Sequence, residues 1–80
     1  MDDVDILQRI GNLAEEERDL EESHVGRGLS DEERDRLRAI EVALDQSWDL
    51  LRQRRARRAA GQDPSEAEVR PPEVVEHYRQ

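Results

Sequence analysis

A glycine-flanked break followed by a helix-start signal divides this sequence and leaves few folds open. Val25-Gly26-Arg27-Gly28-Leu29 interrupts two long segments with helical periodicity. Its glycines can take the left-handed conformations of a helix C-cap and a tight turn. Ser30-Asp31-Glu32-Glu33 comes next, with the S-x-x-E spacing of a capping box. In that motif the serine hydroxyl accepts from the Glu33 N–H, and the Glu33 carboxylate accepts from the Ser30 N–H. Two helices joined by so short a connection must lie side by side and antiparallel.

The first helix is predicted over residues 3–24. Ile6, Ile10, Leu13 and Leu20 recur on one face, with Leu7 and Ala14 beside them. Asp2, Asp3 and Asp5 lie at its start, where the helix dipole favours negative charge. The second helix is predicted over residues 31–60. Its stripe is Leu37, Ile40, Leu44, Trp48 and Leu51, widened on one side by Ala43 and Leu50. The turn length sets Leu7 beside Trp48, Ile10 beside Leu44, and Leu13 near Ile40 and Leu44. The second helix then runs past the first, so Arg54 to Ala60 overhang the end of the hairpin, and Gly61 suits the C′ position.

Residues 1–61 thus read as a helical hairpin and residues 62–80 as a tail. Asp63-Pro64-Ser65-Glu66 signals a turn or helix start. Pro71 and Pro72 follow, and Pro72 can open a last short helix over residues 72–78 with Val74, Val75 and Tyr78 on its apolar side. A helix that short must dock on something. The fold class is therefore all-α: a long antiparallel hairpin with a short C-terminal helix.

A core this thin raises the question of a partner. Hydrophobic residues make up 34% of the 80 residues, charged residues 42%, and there is no Phe. The apolar face of the second helix is wider than one neighbouring helix can cover. A dimer forming a four-helix bundle would cover it, and so would the tail, docked in cis or swapped; the dimer is the preferred expectation. Cysteine is absent, which excludes disulfides and Cys-ligated metal and fits a cytoplasmic setting. No apolar run is long enough to span a membrane.

One run, Trp48-Asp49-Leu50-Leu51-Arg52-Gln53-Arg54-Arg55-Ala56, joins the apolar stripe to a basic end. Residues 52–60 carry five arginines and no acid, in a chain of net charge −8. This run, with Ala60-Gly61, Asp63-Pro64, Val69-Arg70-Pro71, Val74-Val75-Glu76 and Tyr78, resembles a family of short, cysteine-free actinobacterial proteins of unknown function (domain of unknown function, family 2630). The resemblance covers essentially the whole chain and is densest from Glu41 to Tyr78. It implies a bacterial cytosolic setting and a small stand-alone protein, and brings no catalytic residue with it.

The arginine end admits two readings. Phosphate binding to RNA or DNA is one. Helical geometry scatters these arginines around the axis, with Arg54, Arg57 and Arg58 turned from the first helix, and the acidic body would repel a polyanion. The preferred reading pairs Arg52 and Arg55 with Asp2, Asp3 and Asp5. Trp48 fits a core anchor between the helices, or a hot spot at an interface.

Glu21-Glu22-Ser23-His24 matches the E-x-x-H spacing of di-iron helices, but it sits at the loop end without a second copy, so a solvated hairpin end is expected. Glu73 and His77 are too isolated for a ligand pair. No phosphate loop or nucleophile motif is present. No catalytic, metal or cofactor residue is assigned. The expected function is that of a non-enzymatic interaction protein, a homodimer presenting helical faces to a protein partner. Its candidate contact residues are Trp48, Leu50, Arg54, Arg57, Arg58 and Tyr78. The competing class is a nucleic-acid- or ribosome-associated factor docking through Arg52 to Arg58.

Overall fold

The computed structural model describes residues 2–22 and 28–76. Helix α1 spans Asp3–Glu22, α2 spans Asp31–Ala59, and α3 spans Pro72–Glu76, with a single 3-10 turn at Pro64–Glu66. The architecture is all-α, as the periodicity predicted, and elongated, with extents of 51 × 24 × 18 Å. Helix α2 is the axis of the molecule: α1, the 3-10 turn and α3 all pack on it.

Local chemistry fixes the ends of these elements. The Ser30 hydroxyl accepts from the Glu33 N–H at 3.2 Å, and Glu33 Oε1 accepts from the Ser30 N–H at 2.9 Å. This is the capping box the sequence announced. A second reciprocal cap opens α1: Asp2 Oδ1 accepts from the Asp5 N–H at 2.9 Å, and Asp5 Oδ2 accepts from the Asp2 N–H at 3.3 Å. At the far end of α2, Gly61 has φ of +73°. The Gln62 N–H donates to Arg57 O and the Gly61 N–H to Arg58 O, the paired bonds of a Schellman motif. Asp63 caps the 3-10 turn through the Ser65 N–H at 2.9 Å.

The seam between α1 and α2 is narrower than the predicted stripe and has a different phase. On α2 it runs through Leu37, Ile40, Leu44, Ser47, Leu51, Arg54 and Arg58, alternating steps of three and four residues as in a coiled coil. Ile6, Ile10, Leu50 and Leu51 form the buried cluster, with Leu44 and Ala67 packed against it. Ser47 takes the seam position that was expected for Trp48. It is buried, and its hydroxyl donates to Ala43 O at 2.7 Å, so burial leaves that donor satisfied. The small side chain lets the helices close. Trp48 lies one residue further round, and it is not the core anchor expected: it is 45% exposed.

The extra width of α2 is covered by the tail. Ala67 packs on the core beside Leu50. Val69 lines a crevice with Arg9, Ala43, Gln46 and Leu50. Val75 of α3 is buried, whereas Val74 is 40% exposed. The width of this face, offered above as grounds for a dimer, is thus satisfied within one chain. Residues 23–27, including His24 of the E-x-x-H, and residues 77–80, including His77 and Tyr78, lie outside the described residues.

Candidate functional site

Helix α2 has three distinct sides, and each sends its residues to a different task. The first is the seam with α1. Its basic end closes on the start of α1: Arg54 Nε donates to Asp3 Oδ1 at 2.6 Å, and Arg58 Nη2 donates to Asp3 Oδ2 at 2.5 Å. This corrects the expected pairing in two respects. Arg54 and Arg58 face α1 instead of turning from it, and they, in place of Arg52 and Arg55, hold Asp3. The reason is phase: Arg54 and Arg58 continue the three-four seam beyond Leu51. Hydrogen bonds from Arg58 and Arg54, reinforced by their charges, hold the Asp3 carboxyl below its usual range. Arg54 also donates to Pro64 O at 3.2 Å, tying the 3-10 turn to the same corner.

The second side clamps the tail. Gln46, Asp49 and Gln53 recur at steps of three and four, about 180–240° round from Ile40. Asp49 is completely buried. Arg70 holds it in a two-pronged pair, with Nε donating to Oδ2 at 2.8 Å and Nη2 to Oδ1. Gln53 Nε2 donates to Asp49 Oδ2 at 3.0 Å and also to Glu68 O at 2.7 Å. Gln46 Nε2 donates to Arg70 O at 3.1 Å. A buried carboxylate is costly unless paired and hydrogen-bonded, and here three donor groups meet it. The Arg70 hydrogen bond, then that of Gln53 and the charges of Arg70 and Arg52, hold the Asp49 carboxyl below its ordinary value against the opposing effect of burial. Arg57 faces Glu66 at 3.5 Å on the same flank.

The third side is open. The crevice under the tail places Arg9 of α1 with Ala43 and Leu50 of α2. Leu7 lies on the other flank of the Ile6 stripe from Arg9, and Trp48 on the other flank of the seam from Leu50. In an antiparallel pair those two flanks fall on the same side. The ion pairs Asp3–Arg54 and Glu16–Arg36 set the register between the helices, and between them Leu7 comes level with Trp48. Leu7 is 48% exposed. The hairpin therefore shows a large apolar ring and a leucine together on the side that the described residues of the tail leave bare. Glu41 and Arg55 flank Trp48 on this side, both exposed.

Of the sequence candidates, Trp48 lies on the open side, Leu50 in the core under the tail, and Arg54, Arg57 and Arg58 in ion pairs with Asp3 and Glu66. Sequence reasoning passed over Gln46, Asp49, Gln53 and Arg70, which form the most buried polar cluster described. One signal was available: an acid set inside the apolar run Trp48-Asp49-Leu50-Leu51, with an amide four residues on. Among the described residues no group of three or more His, Cys, Asp or Glu is arranged to hold a metal ion, and no helix is long and apolar enough to cross a membrane.

The family model described as "Protein of unknown function (DUF2630)" matches residues 2–80. An uncharacterized protein of Mycobacterium bovis and two of Mycobacterium tuberculosis are each 51% identical over 77 residues, covering 95% of this chain and 88% of theirs. No solved structure matches the chain. The chain belongs to the DUF2630 family.

Proposed function

We propose that this member of the DUF2630 family is a small non-enzymatic interaction protein of the cytoplasm, which presents the open side of its hairpin to a protein partner. The observation that carries this reading is Trp48, 45% exposed and level with an exposed Leu7 while the tail covers the opposite flank. A rigid helix holding an aromatic ring half in water offers a preformed anchor, and tryptophan is the residue most enriched among interface hot spots. The Asp3–Arg54 pair ties the two helices together and the Asp49–Arg70 pair ties the tail to α2, so the scaffold can hold this ring in place without help from the partner.

The arginine end supports nucleic-acid binding less well. Arg54 and Arg58 are engaged by Asp3, and Arg57 by Glu66, so three of the five arginines that would meet phosphate are already engaged within the chain. Phosphate contacts are strongest at low salt. A titration with RNA or DNA at low ionic strength is expected to show no binding, and tight, salt-sensitive binding would favour the nucleic-acid reading instead.

The direct test is capture from the cell extract with tagged wild-type protein and with Trp48→Ala, the captured set including untagged copies of the chain itself. Trp48→Ala should stay folded, by circular dichroism, and lose what the wild type holds. A variant that retains every captured protein contradicts the reading.

A further inference from the structure

The charges beside Trp48 are ordered along α2, and that order selects a partner. Glu41 lies seven residues before Trp48 and Arg55 seven after it. Seven residues are close to two helical turns, so all three share one face, with the acid and the base each about 10 Å from the ring. Both charged side chains are exposed, and neither makes a hydrogen bond or ion pair among the described residues. Asp45 and Arg52 extend the same order inward, acid on the N-terminal half of the face and base on the C-terminal half.

We infer that the open side docks a second copy of this chain, with the two α2 helices antiparallel across a two-fold axis at Trp48, so that Glu41 of each copy meets Arg55 of the other. This rests on reading the Leu7–Trp48 side as a binding surface, and it names the occupant. A two-fold contact places each patch against itself, so it must be self-complementary. An antiparallel pairing centred on Trp48 brings the residue seven positions before the ring on one helix opposite the residue seven after it on the other. Glu41 then faces Arg55 twice over. A parallel pairing would set Glu41 against Glu41 and Arg55 against Arg55, which like-charge repulsion disfavours. At the axis the two tryptophans come together, each beside a Leu7, and cover the largest exposed apolar side chain described on α2.

The test uses charge reversal. Glu41→Arg and Arg55→Glu alter residues with no partner among the described residues of the single chain, so the fold should survive, as circular dichroism will show. Each variant alone places like charges across the axis, and sedimentation velocity over a concentration series should show its dimer weakened about tenfold or more against wild type. Glu41→Arg carries a base at both positions and Arg55→Glu an acid at both. Mixed together, they set base against acid at each of the two contacts, so a heterodimer should form from chains that do not pair with themselves. The double reversal should restore the homodimer. A wild type that stays monomeric throughout overturns the second copy as occupant, while capture of another protein through Trp48 would leave the binding surface itself standing. A wild-type dimer indifferent to both reversals, or variants that fail to pair on mixing, overturns the antiparallel register.

Discussion

Two adjacent residues show how much a single position decides in this chain. Trp48 and Asp49 look misassigned by composition: the ring stands half in water and the carboxylate is fully buried. Each follows from its angle on α2. Trp48 falls just off the seam, where Ser47 lets the helices close; Asp49 falls under the tail, where Arg70 awaits it. The energetic ranking should invert what residue type suggests. Truncating a buried tryptophan costs about 3–5 kcal/mol, but Trp48→Ala here should cost about 1 kcal/mol in urea unfolding of the monomer, since its ring is only part-covered. Arg70→Ala should cost more, about 2–3 kcal/mol: it leaves the buried Asp49 carboxylate with Gln53 as its remaining hydrogen-bond donor among the described residues, a loss moderated because the Arg70 side chain is 33% exposed. If Trp48→Ala proves the more damaging of the two, the ring belongs to the core after all.

At the scale of elements, caps and turns hold what a thin core cannot. Ser30→Ala removes one half of the α2 capping box and should lower stability by about 1 kcal/mol, measured by the midpoint of thermal unfolding. Gly61→Ala forces a Cβ into a left-handed conformation at φ of +73° and should cost about 1–2 kcal/mol in the same measurement. These elements were legible in the sequence because their signals are local: S-x-x-E at Ser30, Gly61 after a basic helix end, Asp63-Pro64 before the 3-10 turn, Pro72 at the start of α3. What was not legible is angular phase. Arg54 and Arg58 prolong the seam with polar residues, so an apolar count could not find its centre, and Trp48 drew the stripe toward itself. The Asp49–Arg70 pair joins residues 21 positions apart, and no local pattern announces it. Ser47 was invisible for the opposite reason: a small polar residue is no core signal until a facing helix shows why it must be small.

For the whole molecule, the electrostatics make stability a function of acid. Asp49, Asp3, Glu16 and Asp63 all have carboxyls held below their ordinary values, the first three by arginine partners and Asp63 by the Ser65 N–H. A group whose pKa falls on folding adds stability above its unfolded value and loses it as pH drops through the folded one. The melting temperature should therefore be level through the neutral range and decline as pH falls below about 4, where free carboxylates begin to protonate. Asp49→Asn should melt lower at neutral pH and decline less steeply in acid. The arrangement of the molecule, with one side of α2 on α1, one under the tail and one that we propose docks a second copy, is tested most directly by the only tryptophan. Acrylamide quenching of Trp48 fluorescence should be strong in folded Arg55→Glu, where the open side stays bare, and much weaker in wild type at concentrations where it dimerises. Equal quenching in the two proteins, whether both shielded or both accessible, would contradict that arrangement.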